Sequence, residues 1–268
     1  MLDLITPVVL TFDEAANIGR CLENLVWAKR VVVIDSFSSD ATPAIARSFA
    51  NVRFLQNNFV DPATQLNFAL DSGAIETPWI LRMDADFMVP DALRAALAGL
   101  ESQTDFAAFL IPFRYAIFGR RLRATLYPAL PLLARRAMLR YRQDGHAEKA
   151  LIDGSIGRIG AFMVHDDRKL LDRWLRSQWR YMEAEADKLR ASGFAALDWP
   201  DRIRKTRLLG APAIFFYCLI AKGLMLDGWA GMFYTLQRVT AELILSLCLI
   251  ERDLRVIMSA GHDHHSRH

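Results

Sequence analysis

Cysteine is scarce in this chain, and its placement offers no pairing. Cys21, Cys218 and Cys248 are three residues in 268, widely separated and odd in number. No CxxC spacing occurs, so neither a disulfide framework nor a zinc site is expected, and a reducing cytoplasm is the expected compartment. Glycine is also sparse at 14 residues; with 53% hydrophobic and 24% charged residues, a disordered or low-complexity chain is excluded. No basic n-region precedes the first strand pattern, so no secretory leader is expected. The formal net charge is only +3, too small for a dedicated nucleic-acid binder, and no nucleic-acid-binding module is recognisable. A run of roughly 20 apolar residues, enough to span a bilayer core, is missing too. Leu208–Ala221 is uncharged but ends at Lys222, and Val239–Ile250 carries Glu242.

What is present is unevenly spread. The mean hydropathy of +0.13 is high for a soluble enzyme, and the excess lies in the C-terminal third. From Phe106 to Gln143 the chain has Arg114, Arg120, Arg121, Arg123, Arg135, Arg136, Arg140 and Arg142 and no acidic residue. A second basic knot, Arg202, Arg204, Lys205 and Arg207, precedes the most apolar stretch. Basic residues beside apolar surface suit an anionic membrane.

The N-terminal half alternates strand and helix patterns. Leu4–Thr11 reads as a buried strand, Asp13–Ala28 as an amphipathic helix and Arg30–Asp35 as a β-branched strand. Asp40 is expected to cap a helix through Ala50, with a short strand at Val52–Leu55. Asp61-Pro62 starts a helix near Ala63–Ile75, and Trp79–Met83 is a strand running into Asp84-Ala85-Asp86. Pro90 opens a helix to about Leu100. This order predicts an α/β fold with a mostly parallel sheet flanked by helices. Ligands of such sheets bind beyond the carboxyl ends of the strands, where Asp35, Asp84 and Asp86 fall. Helical periodicity returns at Asp167–Ser192 and across Pro200–Leu254. The expected division is a catalytic domain over 1–195, a C-terminal amphipathic helical region over 196–258 and a disordered tail over 259–268.

A nucleotide diphosphate is rich in negative charge, and a hard divalent cation held by one or two carboxylates offsets it. Asp84 and Asp86, two apart at a strand end, can direct one carboxylate to ribose or sugar and the other to a metal. The alternative is an acidic solvated loop. A carboxylate at Asp35 can accept a hydrogen bond from a pyrimidine N–H; the alternative is a helix cap, the reading preferred for Asp40.

The runs ITPVVLTFDEAANIGRCLENL, VVVIDSFSSDAT, QLNFAL and WILRMDADF together resemble the family-2 glycosyltransferases. More narrowly they resemble the branch with lipopolysaccharide-core and exopolysaccharide glucosyltransferases, over about residues 4–255. The resemblance implies a GT-A fold, an inverting mechanism, a nucleotide-sugar donor, often UDP-linked, and Mg²⁺ or Mn²⁺. Carried over by residue, it places Thr11 and Glu14 in the first donor-binding loop. It makes Asp35 the base-recognising aspartate, lines the nucleotide pocket with Gln65 and Asn67, gives Asp84 the ribose or sugar contact and makes Asp86 the metal ligand. Asp13 stands where Asn is usual, and Phe87 replaces the acidic residue that often follows DAD.

An inverting transfer needs a general base. The cluster Asp144-Gly145-His146-Ala147-Glu148 makes Glu148 the candidate and Asp144 the fallback; the alternative is a polar turn. His165 resembles a post-strand histidine that approaches metal or diphosphate, with a structural histidine as its alternative. Arg135 and Arg136 fit the branch pattern as contacts to acceptor phosphates, against a solvated basic face. The apolar C-terminal stretches read as paired amphipathic helices in a membrane interface, with Arg202–Arg207 on headgroups and Trp229, Phe233 and Tyr234 at the boundary; the alternative is core closure or a dimer interface. The expected partners are therefore a nucleotide-sugar donor, a lipid-linked glycan acceptor and the inner face of a bacterial cytoplasmic membrane. Two rivals stand beside this: an inactive scaffold or binding protein of the same fold, and a nucleotidyltransferase. The acidic, glycine-poor loop TFDEAANIGR disfavours the latter.

Overall fold

The computed structural model describes residues 1–101, 103–144 and 147–265. The chain divides into two compact units, Met1–Lys169 and Leu170–His268. The boundary lies before the long helix that sequence periodicity assigned to the first domain.

The first unit follows the expected alternation. Strand β1 is Ile5–Thr11, helix α1 Ile18–Asn24, β2 Val31–Asp35, α2 Thr42–Arg47, β3 Val52–Gln56 and α3 Pro62–Asp71. Then come β4 at Trp79–Asp84, β5 at Phe87–Met88 and α4 at Asp91–Ala98. All five residues of β2 are buried, as a β-branched strand covered on both faces should be. Asp61 caps α3 by accepting from the Thr64 amide at 2.7 Å, with Pro62 in the first turn. Helix α1 is much shorter than the Asp13–Ala28 periodicity implied. Asp13 takes a positive φ of 51°, which breaks the helical path before Ile18.

After α4 come β6 (Ala108–Ile111), β7 (Phe113–Ile117), β8 (Arg120–Arg121), β9 (Leu130–Arg135), β10 (Leu139–Asp144), β11 (Ala147–Ile152), β12 (Ile156–Arg158) and β13 (Met163–His165). The main sheet has the order β12-β6-β9-β4-β1-β2-β3. Only β9 is antiparallel to its neighbours, β4 and β6. A smaller sheet, β5-β13-β7-β8, and the hairpin β10-β11 complete the unit. One core of Ile5, Val9, Ile18, Leu22, Trp79, Leu81, Met83 and Phe87 lies under α1 and α4. A second, with Val8, Ile34, Leu66, Ile80 and Tyr141, joins α3 to β10.

The second unit is helical: α5 (Leu171–Ala191), α6 (Trp199–Lys205), α7 (Gly210–Phe216) and α8 (Gly228–His265). Helix α8 therefore continues through residues 259–265, where a disordered tail was expected. Its core comprises Ala186, Leu189, Leu197, Leu245, Cys248 and Leu249. Leu224–Met258 is long and apolar enough to cross a membrane by length and composition. The basic knot does not face outward as expected. Arg204 forks onto Glu242 at 2.7 and 2.9 Å, Arg207 pairs with Asp253, and Lys205 donates to the Ser192 carbonyl. Arg202 donates to the carbonyls of Leu197 and Ala195. These cations hold the helices together. Tyr234 is also buried, Phe233 is half-buried, and only Trp229 of the three expected boundary aromatics is widely exposed.

Asn67 fastens the β10–β11 hairpin to α3: its amide donates to the Tyr141 carbonyl at 2.8 Å and accepts from the Tyr141 N–H at 3.0 Å. Asn67→Ala strands both groups of a buried strand and should destabilise the protein by about 1–3 kcal/mol, measured by urea denaturation.

Candidate functional site

Parallel register brings the acidic residues to one edge. Thr11 is level with Asp35, and Leu10 with Asp84. The carboxyl ends of β1, β2 and β4 thus form one ledge, and Asp86 follows directly.

Asp86 is buried, and its Oδ2 lies 3.1 Å from Nε2 of His165 on β13. Burial alone would raise Asp86, but His165 outweighs it and holds the carboxyl down at about 2. Burial opposes charge on His165, and Asp86 overrides it to raise the imidazole. Oδ1 of Asp86 and Nδ1 of His165 are buried without hydrogen-bond partners. An unsatisfied buried carboxylate oxygen is costly, and a hard cation would satisfy it. No group of three or more His, Cys, Asp or Glu suited to a metal occurs among the described residues. Asp86 and His165 would be the chain's ligands, leaving other positions to phosphate oxygens and water, as is usual for Mg²⁺.

Arg82, read from the sequence only as part of an apolar strand, is central. Its side chain is 9% exposed; Nη1 lies 3.0 Å from Asp84 Oδ2 and Nη2 lies 2.5 Å from Glu148 Oε1. One guanidinium therefore joins Asp84 to the candidate base. Burial raises Asp84 despite Arg82. Glu148 sits on β11, opposite Gln143. Asp144 is exposed at the end of β10, and the next two residues of the cluster, Gly145 and His146, lie outside the described residues.

Around His165 the aromatics are dense. Tyr115 lies 4.3 Å away between ring centroids, Phe87 5.2 Å and Tyr127 5.8 Å. Phe87, which replaces an expected acid, is buried and packs edge-on against His165 and Phe113. It is a wall for the histidine. Burial, and the charge of Asp84 next, push the Tyr127 phenol up to about 12.

The first loop is held by ion pairs that spacing did not reveal. Glu14 Oε1 meets Lys169 Nζ at 2.5 Å, and Asn17 donates to Glu14 at 3.0 Å. Burial outweighs the ammonium and pushes Glu14 up to about 7. Asp166 receives Arg20 at 3.0 Å and Arg168 at 2.9 Å, and its N–H donates to the Asp86 carbonyl. Asp13 does the work of the usual Asn: it tolerates the positive φ, and its Oδ1 accepts from the Ser39 and Asp40 amides. Asp40 accepts from Thr42 N at the start of α2, but the N-cap position is Ala41, one residue later than expected.

Asp35, Gln65, Asn67 and Arg135 all have partners within the protein. Thr11 and Ser38 hydroxyls, the Ser38 amide and Gln56 Nε2 all donate to the fully buried carboxylate of Asp35. It anchors the loop, and a pyrimidine N–H would have to displace one of these donors. Gln65 is likewise buried, tied to Ser36, Asn57 Nδ2 and the Asn57 carbonyl. Asn67 points to β10 instead of a nucleotide pocket. Arg135 and Arg136 lie at the end of the sheet away from Asp84. Because β9 is antiparallel, Arg135 is level with Trp79, the first residue of β4, about 17 Å along the strand from Asp84 at ~3.3 Å per residue. Its guanidinium stacks 4.7 Å from Trp79 and donates to the Thr104 and Phe106 carbonyls.

The sequence model of glycosyl transferase family 2 matches residues 6–171. The chain is 27% identical over 243 residues to the lipopolysaccharide core biosynthesis glycosyltransferase LpsC of Rhizobium meliloti (strain 1021), covering 85% of this chain and 84% of that protein. Among solved structures, S. aureus TarS 1-349 in complex with UDP-GlcNAc aligns with a TM-score of 0.48 at 16% identity, over 94% of this chain and 91% of that one. Glucosyl-3-phosphoglycerate synthase from Mycobacterium tuberculosis in complex with phosphoglyceric acid aligns with a TM-score of 0.47 at 15% identity, over 69% and 78%.

Arg82→Met leaves Glu148 buried without its cation and should destabilise the protein by about 3 kcal/mol. Adding Glu148→Gln should recover part of that loss; a thermal-denaturation cycle with strictly additive losses would show the pair to be uncoupled.

Proposed function

We propose that this chain, which belongs to glycosyl transferase family 2, is an inverting glycosyltransferase using a nucleotide-sugar donor, UDP-linked, and a lipid-linked or lipopolysaccharide-type glycan acceptor. The observation that carries this is the Asp86–His165 pair at the carboxyl end of β4, with an unsatisfied carboxylate oxygen. When bound there, Mg²⁺ or Mn²⁺ supplies Lewis-acid stabilisation to the charge growing on the leaving diphosphate. Asp86 and His165 would hold it. Asp84 would accept a hydroxyl of the donor's ribose or sugar while Arg82 fixes its orientation. Glu148 would take the acceptor hydroxyl's proton as that oxygen attacks the anomeric carbon and the bond to the diphosphate breaks. Arg82 engages Oε1 of Glu148 and so aims the carboxylate. Lys169, close enough to Asp86 to influence it electrostatically, would add positive charge on the diphosphate side.

The LpsC likeness supports a lipopolysaccharide-type acceptor. A membrane-bound acceptor would be met by an enzyme that shares its surface, here the inner face of the cytoplasmic membrane. Support comes from the second unit. Leu236, Leu243, Leu247 and Leu254 are exposed at helical spacing on α8, and Trp229 at its start is 87% exposed. Between Arg207 and Asp227 the only charge is Lys222. With the basic knot engaged internally, attachment would be driven by apolar burial more than by headgroup charge.

Calorimetry with UDP tests the donor site. Wild type should bind UDP more tightly with Mn²⁺, and Asp86→Ala should abolish the metal-dependent part. Silence of wild type towards UDP, GDP and other nucleotides would favour an inactive scaffold. For the membrane, flotation with phosphatidylcholine vesicles should succeed at high salt and fail for Trp229→Asp/Leu247→Asp; wild type that stays at the bottom of the gradient would rule out apolar attachment.

A further inference from the structure

We infer that the tip of the β7–β8 hairpin, residues Phe118 to Arg121, is the docking site for an anionic group, phosphate or carboxylate, carried by the acceptor. The inference rests on the transfer reading above for the word acceptor, and it moves the acceptor contact from Arg135 and Arg136 to another part of the arginine-rich segment.

Three observations converge on this hairpin. The first is how the fold sorts the acid-free arginines. Arg135 is occupied by carbonyls, Arg140 lies 3.2 Å from Asp71, and Arg114 lies over the Phe162 ring at 5.4 Å. Arg120 and Arg121 are exposed, with no acidic partner among the described residues. They are cations that the fold leaves to solvent.

The second is backbone conformation. Phe118 and Gly119 form the two-residue turn between β7 and β8, with φ of 48° and 85°. Two positive φ values in a two-residue hairpin favour Asn-Gly, and a bulky side chain in the first position is disfavoured sterically. Yet Phe118 occupies it, with its ring 65% exposed. Strain kept at an exposed position points to use; an exposed apolar ring in the turn that leads into Arg120 suits a sugar that carries an anion.

The third is the connection to the reaction centre. Tyr115 of β7 is level with His165 of β13, and Arg121 is level with Ala116. Because side chains alternate across the ribbon, Arg121 shares the face of Ala116, whereas Arg120, level with Ile117, shares the face of Tyr115, two residues along, ~6.8 Å, and one strand across, ~4.8 Å. The Gly119 amide donates to Asp166 Oδ1 at 3.1 Å, and the Asp166 amide donates to the Asp86 carbonyl at 3.0 Å. The tip is therefore anchored to the segment that holds Asp86.

The test uses the full chain and deacylated lipopolysaccharide oligosaccharide as probe, in calorimetry at low and high salt. Arg120→Gln/Arg121→Gln should weaken oligosaccharide binding at least tenfold, with UDP affinity changed less than twofold and an unchanged melting temperature. Arg120→Lys/Arg121→Lys should restore most of the loss, and the salt dependence should be smaller in the Gln variant. Unchanged oligosaccharide affinity in the Gln variant overturns the inference. So does a loss confined to vesicles containing phosphatidylglycerol, which would make lipid headgroups the ligand. Wild type that binds UDP but no oligosaccharide also overturns it while the donor reading stands. Wild type that binds oligosaccharide but no nucleotide sinks the donor reading and leaves the comparison of variants valid.

Discussion

Arg82 carries a full charge on a strand whose other residues, up to Asp84, are buried. A guanidinium in that position must be paired, because removing it from water is expensive and attraction repays the cost only when its hydrogen bonds are made. The partners come from different parts of the chain: Asp84 two residues ahead, and Glu148 on a hairpin that otherwise touches the unit mainly through α3. Pairing Arg82 therefore does two things at once. It fixes the direction of the Asp84 carboxylate, and it draws β11 over the end of the sheet. The Asn67 clamp on Tyr141 sets the height of the same hairpin. Loop flexibility at the site is limited by these two fastenings.

A similar economy holds for Asp86 and His165. Asp86 needs a cationic neighbour, and His165 provides one from β13. His165 in turn is oriented by Phe87, Tyr115 and Tyr127, so ring packing replaces the second hydrogen bond that its Nδ1 lacks. The carboxylate that Phe87 displaces from the usual acidic stretch is exchanged for rigidity in the histidine.

Much of the first unit was legible because parallel strands buried on both faces leave dense apolar runs. VVVID and WILRMD announce themselves, and their terminal aspartates mark the ledge. What could not be read was anything set by partner choice across long separations. Nothing in LPLLAR tells that it pairs antiparallel between two parallel strands, which sets Arg135 level with the first residue of β4. Arg82 was hidden by its apolar neighbours, and Lys169 by its distance in sequence from Glu14. Composition alone also misjudged Arg204 and Arg207: a basic cluster beside apolar sequence looks like a membrane contact, yet Glu242 and Asp253, about forty residues away, claim it. Helix α1 was overestimated because apolar periodicity continues through a loop that one positive φ interrupts.

The reversed strand β9 has one more consequence. Ile111, the last residue of β6, is hydrogen-bonded neighbour to Leu130, the first of β9. Everything between them, including the Phe118–Arg121 tip and Tyr127, is an excursion that leaves the sheet and returns to the adjacent position. The sheet itself closes that loop, so a change in its length alters closure entropy only slowly. Over evolutionary time such an excursion can be lengthened, shortened or replaced while the strands carrying Asp35, Asp84 and Asp86 keep their register. Descendants of one ancestor could then inherit the same donor chemistry and diverge in what receives the sugar.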